Sequence, residues 1–257
     1  MKNKIAILLT TFLRDNLLFQ TLQTVVDNFP EDCILLVVDQ GYHSEDKNIM
    51  YDYVKSQIPL EIYYMPFDSG LSAGRNFLVN RAKELDIPYC LLGADSIQFT
   101  EHYDFVNIIK FLESDENHAL VGFELEGSKC PWEFNYTLEK DGFHFIESNE
   151  FAEFDGQTFK KIEICRNIFL AKTNILFTSP WRDELKLSEH EVFFNDLKEK
   201  SYNCFWTDSI KFKRHSTKNE EYMSYRDRFG YYQQKMMQIL NITGWIHKPK
   251  TKKNEKK

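Results

Sequence analysis

The chain has 257 residues, of which 42% are hydrophobic, 15% aromatic and 28% charged, a globular composition that excludes a disordered chain or a fibrous repeat. Lys plus Arg number 32 against 39 Asp plus Glu, and the resulting net charge of −7 gives no general attraction for nucleic acid. No apolar run approaches the ~20 residues needed to span a bilayer, and the length suits one large domain, expected over residues 1–245.

The opening MKNKIAILLTTFLRD starts like a secretory signal, but Thr10, Thr11 and Arg14 interrupt its apolar stretch and no small-residue cleavage site follows. The expectation is a soluble, cytoplasmic chain. Ile5–Leu9 is a continuous apolar run, as in a strand buried on both faces. Leu17, Leu18, Leu22, Val25, Val26 and Phe29 follow a helical period, with Asp15 placed as N-cap and Pro30 just beyond the end. Cys33–Val38 predicts a second buried strand, Asp46–Ser56 a helix, Glu61–Met65 a strand, Ala73–Glu84 a helix and Tyr89–Gly93 a fourth strand. This alternation predicts an α/β fold with helices on both faces of a parallel sheet.

Beyond about residue 120 the pattern changes to strands at Val121–Leu125, Trp132–Leu138 and Phe143–Ile146, with Lys140-Asp141-Gly142 as a hairpin turn. Strand signals at Ile162–Cys165 and Ile168–Ala171 follow. Then come a helix near Glu191–Lys200, a strand near Ile210–Lys213 and helices from about Glu220 to Asn241. The Lys-rich run 246–257 has no apolar face and is expected to fray. Cysteines 33, 90, 130, 165 and 204 form no CxxC pair, which argues against a disulfide scaffold or a zinc site and predicts buried thiols.

In open α/β sheets ligands sit beyond the carboxyl ends of the strands. Thr10-Thr11-Phe12 with Arg14, Asp39-Gln40-Gly41 and Gly93-Ala94-Asp95-Ser96 all fall at such ends. Asp68–Asn76 adds a Gly/Ser loop opening a helix, whose N–H groups and Arg75 suit a phosphate-bearing ligand. Together these predict a nucleotide crevice. Ile5–Arg14, Val37–Gly41, GLSAGRN at Gly70–Asn76 and YCLLGADSIQF at Tyr89–Phe99 resemble, in that order, a GT-A glycosyltransferase. The likeness is to family-2-type enzymes and, among them, the β1,4-N-acetylgalactosaminyltransferase branch. It continues through Arg166–Thr173, Trp181–Leu197, Lys213-Arg214-His215 and Tyr225–Arg228, and so covers most of residues 4–230.

The resemblance implies a GT-A fold: a Rossmann-like donor half, about 1–120, and an acceptor half, about 121–245, around a mixed central sheet. It implies an inverting transfer of a hexose or N-acetylhexosamine from a UDP-sugar to a glycan or glycolipid hydroxyl, in glycan biosynthesis. Thr10, Thr11, Arg14, Asp39, Gly70, Arg75, Ala94 and Asp95 are then expected around the donor. The family's acidic metal motif is reduced here to Ala94-Asp95-Ser96, so Mn²⁺ or Mg²⁺ would rest on Asp95, Ser96 and His215 with the donor phosphates. A base is needed to deprotonate the acceptor hydroxyl. The family's acidic motif corresponds to Ser188–Phe194, and a carboxylate base is expected from Glu189 or Glu191, with His190 at a slot that is acidic in some relatives. Ser188 could instead cap the helix with Glu191 as its capping-box partner. Trp181 is a candidate to stack on an acceptor sugar, and Arg226 and Arg228 could approach the diphosphate. The Lys-rich tail could touch anionic lipid, which would place the chain at the inner face of a membrane. Two other readings stay open: a non-catalytic nucleotide- or glycan-binding relative with a degraded metal motif, and a sugar nucleotidyltransferase, although Thr10–Arg14 has no Gly for the latter's loop.

Overall fold

The structure, a computed structural model, describes residues 4–126, 133–216 and 219–247. Strands β1 (Ile5–Thr11), β2 (Cys33–Asp39), β3 (Leu60–Tyr64) and β4 (Tyr89–Leu92) alternate with helices α1 (Asp15–Asp27), α2 (Glu45–Gln57) and α3 (Leu71–Glu84). Every residue of β1 and β2 is buried, as their unbroken apolar runs require of strands covered on both faces. Successive side chains alternate between the faces. Ala6, Leu8, Leu36 and Val38 share a core with Leu78 and Ala82 of α3, while Ile7, Leu9, Leu35 and Val37 pack with Leu18 and Leu22 of α1 and Val54 of α2.

The second half supplies β5 (Ile97–Gln98), α4 (Val106–Glu113), β6 (His118–Glu126), β7 (Asn135–Glu139), β8 (Gly142–Ile146), β9 (Phe151–Phe154), β10 (Gln157–Ile162) and β11 (Phe169–Lys172). It ends with α5 (Thr173–Thr178), α6 (His190–Glu199), β12 (Asn203–Arg214), α7 (Glu220–Arg226), α8 (Phe229–Ile239) and β13 (Ile246–His247). Among the described residues the main sheet runs β3-β2-β1-β4-β11-β6-β12-β10-β9, with β5 against β12. β1 to β4 pair in parallel, β11 is antiparallel to both β4 and β6, and β12 is parallel to β6. The sheet is therefore mixed, as expected. A smaller sheet joins β7, β8 and β13, and its Tyr136, Phe143 and Phe145 enter the same core as α3 and α6.

Several local expectations change. Asp15 is the first residue of α1, not its cap; the cap is Arg14, without a side-chain hydrogen bond, and the Asp15 carboxylate pairs with Lys47 at 2.9 Å. β12 is far longer than the predicted Ile210–Lys213, because Asp208 and Ser209 break the apolar pattern within it. The register of β12 on β6 shifts between Thr207 and Lys211, and its end crosses to β5, where Arg214 faces Ile97. α4, an eight-residue helix burying Ile108, Phe111 and Leu112, is not anticipated by the sequence reading. Cys33, Cys90, Cys165 and Cys204 are buried free thiols, and burial pushes Cys33 and Cys90 up to about 12. Cys130, Trp132 and the Lys-rich tail from Lys248 lie outside the described residues. Among the described residues no helix is long and apolar enough to cross a membrane.

Candidate active site

The parallel register brings the polar strand ends together: Thr11 stands beside Asp39, and Gly93 donates its N–H to the Leu8 carbonyl at 3.0 Å. Asp95 follows at the same edge and is fully buried. The Thr11 hydroxyl donates to its Oδ2 at 3.0 Å, Arg14 Nε donates to Oδ2 at 3.2 Å, and Arg14 Nη2 pairs with Oδ1. Burial pushes the Asp95 carboxyl up against the pull of Arg14 and Thr11. At the neighbouring strand end Asp39 accepts from Tyr51 Oη at 2.8 Å and the Gly41 N–H at 2.9 Å, and pairs with the buried Lys47 at 3.0 Å. Asp39 thus ties β2 to α2 and does not line the cleft. Its neighbour Gln40 lines a recess beside the cleft.

The Gly/Ser loop is shaped by close approach. Gly70 has φ +101, a region that favours glycine, and a Cβ there would lie 2.9 Å from the Lys186 Cα. Gln40 holds the loop from both sides: Oε1 accepts the Gly70 N–H at 2.8 Å and Nε2 donates to the Gly70 carbonyl at 2.9 Å. Ser72 bonds the Leu185 carbonyl at 2.6 Å, and Asn76 exchanges bonds with the Trp181 backbone at 2.8 and 3.0 Å. The motif therefore braces the segment before α6. Arg75, one turn into α3, is buried and donates to Glu189 Oε1 at 2.6 Å, while its Nε finds no hydrogen-bond partner.

Two connected depressions open at this edge. A small recess of about 50 Å³ is lined by Thr10, Thr11, Phe12, Gln40, Gly70 and Tyr225, among others. Beside it a cleft of about 650 Å³ is bordered by Arg14, Arg75, Ala94, Ser96, Asn167, His190 and His215, and by Arg166, Arg214 and Arg226. Arg14, Leu71, Tyr222 and Arg226 line both. α7 roofs them although none of its residues is buried. It is held by polar and aromatic contacts: Asn219 Nδ2 to the Leu13 carbonyl at 2.5 Å, Tyr222 under the Arg14 guanidinium at 4.5 Å, and Tyr225 edge-on to Phe12 at 5.0 Å. Asp68 clamps Arg228 just past α7 at 2.8 and 2.9 Å, so Arg228 reaches the recess already paired.

The expected catalytic trio separates. Ser188 has φ +58 and its buried hydroxyl caps nothing; the helix cap is Glu189, so the capping box does not form. Glu189 and Glu191 are buried and neither lines the cleft. Burial would raise the Glu189 carboxyl, but Arg75 beside it, with His190, holds it below the ordinary carboxylate range. Glu191 accepts from Trp245 Nε1 at 3.1 Å, and burial raises it to about 7. His190 does border the cleft, its Nδ1 2.9 Å from Asn167 Oδ1, and burial lowers it to about 4. Trp181 is a core residue, 2% exposed and stacked on Phe193 at 4.3 Å; it cannot meet an acceptor sugar.

A divalent ion requires several hard oxygen ligands. Both Asp95 oxygens are engaged by Arg14 and Thr11, which leaves the Ser96 hydroxyl and His215, whose Nε2 is buried without a partner. The protein therefore offers an ion one hydroxyl and one imidazole but no open carboxylate, and Mn²⁺ or Mg²⁺ would have to rest on the donor phosphates and water for its hard oxygens, a poor fit to a protein-held site. His215 is set beside Ser96 by β12, its N–H bonding the Ser96 carbonyl at 2.9 Å. A separate Glu139-Asp141-His144 group of metal-ligand types sits on the β7–β8 hairpin, with both acids exposed, away from this cleft. The sequence reading does not place Gln40, Asn167, Arg166, Arg214 or Tyr222 among the site residues; all but Tyr222 lie inside the family-like segments, which is the available signal.

No family profile matches the chain. Its sequence is 28% identical over 199 residues to mouse beta-1,4 N-acetylgalactosaminyltransferase 2, covering 76% of this chain and 36% of that protein. The chain thus spans about a third of the length of the curated relative it matches. Among solved structures it is similar to S. aureus TarS in complex with UDP-GlcNAc, with TM-score 0.66 and 13% identity over 93% of this chain and 67% of that one. It is also similar to GalNAc-T7 with UDP, GalNAc and Mn²⁺, with TM-score 0.62 and 8% identity over 93% of this chain and 55% of that one. The fold is the GT-A fold of glycosyltransferases, as the resemblance implied.

Proposed function

We propose that this GT-A-fold chain is a glycosyltransferase that moves a hexose or N-acetylhexosamine from a UDP-sugar to a glycan or glycolipid hydroxyl, with inversion. The observation that carries the reading is the cationic cleft at the carboxyl edge of β1, β2 and β4, in a fold whose solved neighbours were crystallised with UDP-GlcNAc and UDP. The recess bounded by Thr10, Phe12, Gln40 and Tyr225 takes the nucleobase end, and the arginine-lined cleft takes the diphosphate and sugar.

His190 is the base in this reading, because among His190, Glu189 and Glu191 it alone borders the cleft. With burial holding it near 4 it is neutral at pH 7, and a neutral imidazole keeps one nitrogen able to accept a proton. Asn167 Oδ1 and the Cys165 backbone hold the ring, and the Arg75–Glu189 pair buttresses the helix start behind it. In the transfer the acceptor oxygen attacks the anomeric carbon, its proton passes to His190, and the bond to the leaving diphosphate breaks with its electron pair on oxygen. The engaged Asp95 favours a second reading, a nucleotide- or glycan-binding relative without catalysis. Incubation with a panel of radiolabelled UDP-sugars and glycan acceptors decides between them. Sugar appearing on an acceptor with release of UDP supports the transferase; saturable UDP binding with neither transfer nor donor hydrolysis selects the binding relative.

A further inference from the structure

We propose that Arg214 and Arg226 neutralise the donor diphosphate in place of a protein-held divalent cation, so that donor binding by this chain is metal-independent. The inference rests on the nucleotide-sugar reading above. Its starting point is a charge inversion. The chain as a whole carries −7, yet the described residues bordering the 650 Å³ cleft include Arg14, Arg75, Arg166, Arg214 and Arg226 and no carboxylate.

The five arginines are not equivalent. Arg14 is neutralised by Asp95, Arg75 by Glu189 at 2.6 Å, and Arg166 by Glu133 at 3.3 Å. Arg214 and Arg226 have no ion-pair or hydrogen-bond partner among the described residues, and both face the cleft beside Ser96 and His215. Their placement comes from the fold: β12 delivers Arg214 against Ile97, and the last turn of α7 delivers Arg226. Two uncompensated guanidinium groups match the two ionised phosphates of a nucleoside-diphosphate sugar. A guanidinium stays charged at any working pH and forms bidentate bonds to phosphate. When the anomeric C–O bond breaks, the leaving diphosphate gains negative charge, and a fixed cation in a cleft stabilises that change as it develops. The same arrangement explains why Asp95 need not be open: its carboxylate holds Arg14 instead of an ion.

The test is calorimetric titration of the full chain with UDP and with UDP-GlcNAc, in EDTA, in Mg²⁺ and in Mn²⁺. The expected result is a Kd in EDTA within about twofold of that in Mn²⁺. Arg214→Gln and Arg226→Gln each weaken binding by about tenfold or more and flatten its dependence on NaCl. Neither side chain has a partner to lose, so both variants keep the fold. Arg182→Gln, whose side chain pairs with Asp196 outside the cleft, leaves Kd unchanged. Binding that requires Mn²⁺ or Mg²⁺ overturns the inference and leaves the transferase reading standing, as does wild-type affinity in EDTA for both arginine variants. Absence of binding in every condition overturns both.

Discussion

The two walls of the cleft treat charge in opposite ways. Behind the wall made by the first half, each strand-end acid is matched internally: Asp95 with Arg14 and Thr11, and Asp39 with Lys47 and Tyr51. On the wall made by β12 and α7, Arg214 and Arg226 face the cavity without an ion-pair partner among the described residues. Residues that look alike in a sequence therefore differ in kind. The first set holds the edge together, and the second is available to a ligand. Substitutions should separate the two walls, with the first losing stability and the second losing only affinity.

The largest expected effect lies on the first wall. Arg14→Ala leaves Asp95 buried without its cation, and breaking such a pair costs about 3–5 kcal/mol, readable by urea denaturation. A loss below 0.5 kcal/mol, as for an exposed residue, would break the comparison.

His190→Ala tests the boundary between the walls. It should reduce kcat about 10²–10⁴-fold, the usual range for a general base, while UDP affinity is retained. The acid limb of the wild-type kcat profile should fall near the lowered value of about 4, not at the 6.5 of a free imidazole. An unaltered kcat would remove His190 from the reaction.

Gly70→Ala should destabilise by about 1–3 kcal/mol, since φ +101 disfavours a side chain and the new Cβ would press on the Lys186 backbone. Thermal unfolding against wild type measures it. The accompanying shift of the loop should also weaken UDP binding.

The smallest effect is pH-dependent. Glu191 is raised from 4.5 to about 7, so the folded state holds its proton more tightly than the unfolded chain. The stability this contributes is fully present below about 4.5 and is lost as pH rises through 7. Glu191→Gln keeps an oxygen to accept from Trp245 and should therefore be the more stable protein at pH 8, by about 1–3 kcal/mol, with the gap closing toward pH 5. His190 has the opposite sign. Its lowered value makes its contribution full above 6.5 and lost as pH falls toward 4. A Glu191→Gln advantage constant from pH 5 to 8 would rule out a buried, titrating Glu191.

The legible parts of the site were those with local causes. Unbroken apolar runs are strands covered on both faces, so β1, β2 and β4 could be read directly, and with them the edge where Thr10, Thr11 and Asp95 stand. The loop at Gly70 was legible because a Gly/Ser stretch before a helical period has few alternatives. The Ser188–Glu191 spacing has the form of a capping box, and it misled. Ser188 turns left-handed as the chain enters α6 under the bonds that Ser72 and Asn76 make to the preceding segment, contacts more than a hundred residues apart in sequence. Trp181 failed for a similar reason, since only the packing of Phe193 and Arg75 around it decides that it is core.

Taken alone, the sequence determined the α/β alternation, the strand ends that gather polar residues, and the order of motifs resembling a GT-A glycosyltransferase. The first two follow from hydrophobic period and residue type within short windows, and the third from the likeness of the quoted motifs to that family. Tertiary structure decided which charges are already matched. Asp39 meets a lysine on α2, Asp95 an arginine at the start of α1 and Glu189 an arginine on α3, whereas Arg214 and Arg226 have no ion-pair partner among the described residues. A carboxylate or guanidinium carries the same charge wherever it stands, and its availability to a ligand depends on partners that only the folded chain brings within hydrogen-bond distance.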